Sequence, residues 1–146
     1  MRPVRALLLT LHIVGVAGWL GGGLFSSISF ASLARTIGLK PVLDLSASLG
    51  GKFFGTAVGL VVLSGVGLVL TSDAYGWGSG FVLVGIGVVL ADGVLEGAVF
   101  GPRLKRLAAA GEERTDTYVR TLAVSSAIHV ALLLLALWSM VVRLGA

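Results

Sequence analysis

Four apolar stretches alternate with short polar ones along the chain. The first, Val4 to Ala34, holds nothing more polar beyond Arg5 than His12 and a few Ser and Thr. The second, Leu45 to Thr71, contains a single charge, Lys52. The third, Gly78 to Phe100, contains Asp92 and Glu96, and the fourth, Thr121 to Val142, contains His129. Each exceeds the roughly 18 residues that mark a membrane span. Barrel-type alternation is absent, so all four are predicted to be helices, which satisfy their own backbone groups in lipid. Between them, 35–44 reads as a short loop with Pro41, and Ser72 to Trp77 as a turn with Tyr75 and Trp77 at interface level. The one long polar segment, 102–120, reads as partly helical along the membrane surface. Short connections predict antiparallel neighbours. The expected fold is all-α: one transmembrane four-helix up-down-up-down bundle covering residues 1–146.

Composition supports this and removes other classes. Of 146 residues, 56% are hydrophobic and 12% charged, about half of the roughly 25% charged content of soluble domains. Glycine occurs 22 times without a Gly-X-Y period, which excludes collagen and suits helices that approach closely. Cysteine is absent, which excludes disulfides, thiolate metal sites, iron–sulfur clusters and c-type haem. No nucleotide-binding or hydrolase motif is present.

The net charge of +4 is explained by loop placement rather than by nucleic acid. The segments 35–44 and 102–120 hold Arg35, Lys40, Arg103, Lys105, Arg106, Arg114 and Arg120, against Arg2, Arg5 and Arg143 on the opposite side. The positive-inside rule then predicts both segments in the cytoplasm and both termini outside a bacterial inner membrane. Met1 to Arg5 resembles the start of a signal peptide, but the apolar stretch that follows is too long for one.

Ionisable groups inside a span are costly and read as functional. By the 1.5 Å rise per residue, His12 lies roughly 10 Å outward of its span's centre. Asp92 and His129 fall near the midplane, with Glu96 and Lys52 about one turn further inward. The groups form a ladder, in which Lys52 and Glu96 read as an ion pair. Asp92 is placed to hold the ring N–H of His129 and fix its tautomer, or to act as a proton relay. On the first span His12, Gly15, Trp19, Gly22, Ser26 and Ser29 fall within about 100° of arc. That stripe has room for a flat ligand or a neighbouring helix. Gly51, Gly55 and Gly59 repeat at the spacing of close helix packing.

The run His12-Ile-Val-Gly-Val-Ala-Gly-Trp19-Leu-Gly21-Gly22 resembles the opening helix of a group of small bacterial membrane proteins. The group contains the copper-resistance D-type proteins and the four-helix haem-containing protoporphyrinogen oxidase. It also contains predicted integral membrane proteins of unknown function, which this chain resembles most. The match covers about a dozen residues. It implies that His12 corresponds to a histidine implicated in haem b binding, with Trp19 packing on the porphyrin edge. Phe25-Ser26-Ser27 stands where the oxidase is basic and Arg-containing, so the resemblance does not extend to porphyrinogen chemistry. Met1 and Met140 form no Met-rich cluster suited to Cu(I).

The leading expectation is a membrane-embedded haem b protein with a redox or electron-transfer role, working with a quinone or a redox partner protein. Its haem-binding candidates are His12, His129, Trp19, Gly15 and Gly22, with His12 and His129 as iron ligands. The two histidines differ in depth by about 10 Å, so one haem with a single His ligand, or two sites, remains open beside bis-His ligation. The alternatives are a proton or metal-ion transporter using the His/Asp/Glu/Lys ladder, in which a homo-oligomer would form the path, and a structural subunit of a membrane complex.

Overall fold

The computed structural model describes residues 2–143; Met1 and the side-chain surroundings of Arg2, Gly50 and Gly51 lie outside that description. The Gly51 member of the glycine repeat and the candidate thioether of Met1 therefore fall outside it. Among the described residues the chain is helical and free of strands. Four long helices carry it: α1 (Arg2–Thr36), α2 (Leu39–Leu70), α3 (Gly80–Ala109) and α4 (Glu112–Val141). All four are long and apolar enough to cross a membrane, the pattern of a multi-pass membrane protein. Large apolar side chains such as Ile13, Phe25, Leu63 and Leu90 cover the outer surface. Water disfavours such a surface and lipid does not.

Helix extends further than the apolar stretches alone suggest. Of the expected loop 35–44, only Ile37 and Gly38 separate α1 from α2, and 102–120 is helical except at Ala110 and Gly111. The added turns are amphipathic. Leu39, Val42, Leu104 and Leu107 pack inward with Ala34, Tyr118 and Leu122, while Lys40, Arg103, Lys105 and Arg106 stay exposed. Charge marked these segments as polar; one apolar face was enough to keep them helical.

Gly38 and Gly111 make the two tight connections with φ of +92° and +106°, where a side chain is strained. α2 then begins at Leu39, whose backbone N–H donates to both Glu112 carboxylate oxygens, at 3.0 and 3.2 Å. The free amides at the start of α2 are thus partly satisfied from α4.

Two helices carry a wider π turn, at Gly50–Phe54 in α2 and Leu95–Phe100 in α3. The second has a local cause. Pro102 has no N–H to donate, and its ring crowds the preceding turn of a regular α-helix. Just before it, the Gly101 N–H reaches back five residues to the Glu96 carbonyl. A Cβ on Gly101 would stand 2.6 Å from that oxygen, so glycine permits the wide turn.

Packing is uneven from end to end. α1 lies against α2 and α4, and α3 lies against α4. α2 and α3 meet only through Leu39–Leu49 and Gly101–Ala109; their other halves, joined by the turn at 71–79, hardly touch. A middle layer of Trp19, Ala57, Val61, Val88, Leu133 and Ala136 joins the helices below this gap.

Candidate functional site

A cavity of about 580 Å³ fills the space between the separated halves of α2 and α3. Its volume is in the range of about 300–1,000 Å³ typical of small-molecule sites. Val62 and Val66 of α2 and Ile86 and Leu90 of α3 line it and are exposed, so the cavity opens sideways on an apolar surface. Its floor is Trp19, and Arg5, Arg143, Tyr75 and Trp77 line its other end. The Arg5 guanidinium lies 5.6 Å from the Tyr75 ring centre. Tyr75 in turn meets the Phe81 ring edge-on at 5.1 Å. This arrangement holds the cation over an aromatic face.

His12 lines this cavity. Its Nδ1 lies 3.0 Å from the Val61 carbonyl and 3.1 Å from Ser64 Oγ. A carbonyl can only accept, so Nδ1 carries the proton and donates. Ser64 supports this polarity because its own hydroxyl donates to the Leu60 carbonyl. In this tautomer the Nε2 lone pair of His12 has no hydrogen bond among the described residues, the state in which imidazole binds metal.

The glycines assigned to the same ligand face serve helix contact instead. A Cβ on Gly15 would stand 3.0 Å from the Val61 nitrogen and 3.1 Å from the Ala57 carbonyl oxygen, so Gly15 is where α1 crosses α2. Gly22 is filled by the Phe53 ring. The arc of α1 that these residues share does face inward, but most of what it meets is a helix. The glycines that line the cavity are Gly65 of α2 and Gly85 of α3. Neither carries a mark in the sequence, because glycine is so frequent here that only a cross-helix partner distinguishes one from another.

The second group of polar residues lies beyond Trp19, where α3 meets α4. His129, 8% exposed, donates from Nδ1 to Asp92 Oδ1 at 2.8 Å, and Asp92 is 5% exposed. This is the pairing that the two midplane positions suggested. Trp19 meets the His129 ring edge-on, with centres 5.8 Å apart, and so separates it from the cavity. The Nε2 atom of His129 is buried with no hydrogen-bond partner; the Trp19 carbonyl lies near the ring but completes no bond with it. A Cβ on Gly23 would come within 2.8 Å of that nitrogen. α1 therefore packs directly against this nitrogen, on the far side of Trp19 from the cavity that His12 lines. Among the described residues, no three His, Asp or Glu side chains are grouped to hold a metal ion.

Glu96 and Lys52 are not an ion pair. Lys52 is exposed and has no ion-pair partner among the described residues, while Glu96 Oε1 accepts a hydrogen bond from Ser125 Oγ at 2.5 Å. Both sit in the wide π turns, where a facing drawn at 100° per residue no longer holds. The Ser125 contact had a signal in the sequence. Asp92 and Glu96 are four apart on α3, Ser125 and His129 are four apart on α4, and the two steps match in opposite directions. Nearby, Ser126 Oγ donates to Ser27 Oγ, and Ser27 donates to the Gly23 carbonyl at 2.8 Å, tying α4 to α1.

No protein-family model, curated protein or solved structure matches this chain.

Proposed function

We propose that the protein is a haem b-binding redox protein of the bacterial inner membrane, with His12 as the protein ligand to iron. In this reading the four helices cross the bilayer up-down-up-down. The termini and the turn at 71–79 lie outside, and the two basic connections lie in the cytoplasm. The observation that carries the reading is the state of His12. Its Nδ1–H is committed to the Val61 carbonyl, which leaves Nε2 as the nitrogen available to a metal, and the residue lines a ligand-sized, apolar cavity. The resemblance of the His12 to Trp19 run to a haem-binding helix adds to it.

Bound haem would supply one-electron transfer. The chain's own residues would bind and orient it. His12 holds the metal side, and Trp19 closes the floor of the cavity. Arg5 and Arg143 line the same cavity and provide two cations for two carboxylates. The sideways opening between α2 and α3 gives a quinone or another lipid-soluble partner a route to the cavity edge without crossing water.

Absorption spectroscopy of protein purified from haem-replete cells tests the reading. A Soret band is expected, and His12→Ala should abolish or strongly shift it while His129→Ala leaves the band in place. A colourless wild-type protein, or a spectrum unchanged by His12→Ala, would remove haem from the account.

A further inference from the structure

The haem reading makes no use of the polar group beyond Trp19. There, Asp92 bonds the imidazole of His129, and Glu96, four residues along α3, accepts from Ser125, four residues before His129 on α4. Besides His129, the one side chain that hydrogen-bonds to these carboxylates among the described residues is a hydroxyl, Ser125 on Glu96. The nearby positions of α1, Gly23 and Ser27, bring no charge, and Lys52 of α2 makes no ion pair with either carboxylate. With both carboxylates ionised, even a doubly protonated His129 leaves one negative charge uncompensated midway along apolar helices. Such a charge is costly away from water. A neutral site holds one proton more than the His129–Asp92 pair accounts for.

We propose that this proton resides on Glu96, and that Glu96 is a proton-binding carboxylic acid open to the bilayer. Asp92 has the imidazole as its partner, whereas Glu96 has only a hydroxyl. Ser125 donates to Glu96 Oε1, and that oxygen serves equally well as the carbonyl of a neutral acid whose hydroxyl is Oε2. Glu96 is only partly buried, while Asp92 and His129 are enclosed, so the lipid face of the site is the Glu96 side. It also lies in the wide turn Leu95–Phe100, a kind of irregularity frequent at functional sites. The second imidazole proton in this count sits on His129 Nε2, a nitrogen more than nine-tenths buried and without a hydrogen-bond partner among the described residues. This nitrogen can take a proton without giving up a bond.

Infrared spectroscopy of the protein in lipid bilayers tests where the proton is. A carbonyl stretch of a protonated carboxylic acid is expected in the wild type. Glu96→Gln should remove it, keeping an amide oxygen for Ser125, and Ser125→Ala should move it to higher frequency. Asp92→Asn should leave it. Absence of the band, or its loss in Asp92→Asn rather than in Glu96→Gln, overturns the proposal. Dicyclohexylcarbodiimide then tests the opening to lipid in the unmodified protein. The acid adds across one C=N bond, its proton goes to one nitrogen and the acyl group migrates to the other. No group leaves, so the fragment containing Glu96 should gain the whole reagent mass. A band without labelling at Glu96 overturns the exposure to the bilayer. Neither test depends on haem.

Discussion

Glu112, the first residue of α4, receives the Leu39 N–H on both carboxylate oxygens and so caps the start of α2 across 73 positions of sequence. Glu112→Ala should lower unfolding stability by about 1 kcal/mol, the usual cost of a lost cap. Glu112→Gln should recover part of it. Gly38→Ala should cost more than a neutral surface change, because φ is +92° and the new Cβ would meet Glu112 Oε1 at 2.7 Å. Thermal unfolding in detergent micelles distinguishes the three. Equal Tm values would show that the cap contributes nothing.

The Asp92–His129 bond supports α3 against α4 from a buried position. Asp92→Ala leaves both imidazole nitrogens unpartnered, and an unsatisfied buried polar group costs roughly 1–3 kcal/mol. Asp92→Asn keeps an acceptor oxygen and should lose less. Chemical denaturation monitored by tryptophan fluorescence is suited to this comparison, because Trp19 lies against the His129 ring. A wild-type denaturation midpoint in Asp92→Ala would contradict it.

Glycines should divide by what faces them. Gly15→Ala inserts a methyl group against the α2 backbone and should destabilise by about 1–3 kcal/mol, the range for overpacking. Nothing lies within 4 Å of a Cβ at Gly87, so Gly87→Ala should be neutral or stabilise by about 0.5–1 kcal/mol through helix propensity. A matched pair of melting curves decides it, and destabilisation by both would mean that Gly87 meets a partner.

Topology is open to single-cysteine labelling, since the chain has no cysteine of its own. A cysteine at Lys105 should resist an impermeant thiol reagent in intact cells, and one at Ala74 should react. Both positions are exposed, so burial does not confuse the outcome. The reverse pattern would invert the orientation.

The four apolar helices and the Asp92–His129 pair were legible because both depend on properties that sequence preserves. Apolar length reports on crossing a membrane, and matching depth brings two midplane groups together. The Lys52–Glu96 pairing failed because depth alone suggested it. Facing depends on turn geometry, which Pro102 with Gly101 changes on α3 and the π turn Gly50–Phe54 changes on α2. Gly15 and Gly22 were placed on the correct side of α1, but whether a glycine faces a helix or a void is a tertiary fact. The separation of α2 from α3 had no local signal, since their connection at 71–79 is short and reads like any turn between packed neighbours.

On the proposed reading, that separation changes the quantity that governs loading of the cavity. Solutes reach most binding sites through water, so occupancy follows their aqueous concentration. Here the entrance is framed by Val62, Val66, Ile86 and Leu90, and the solvent at such an entrance is hydrocarbon. Occupancy then tracks the mole fraction of ligand dissolved in the surrounding lipid. A sparingly water-soluble molecule confined to that thin layer is concentrated at the opening before any contact with the protein is made.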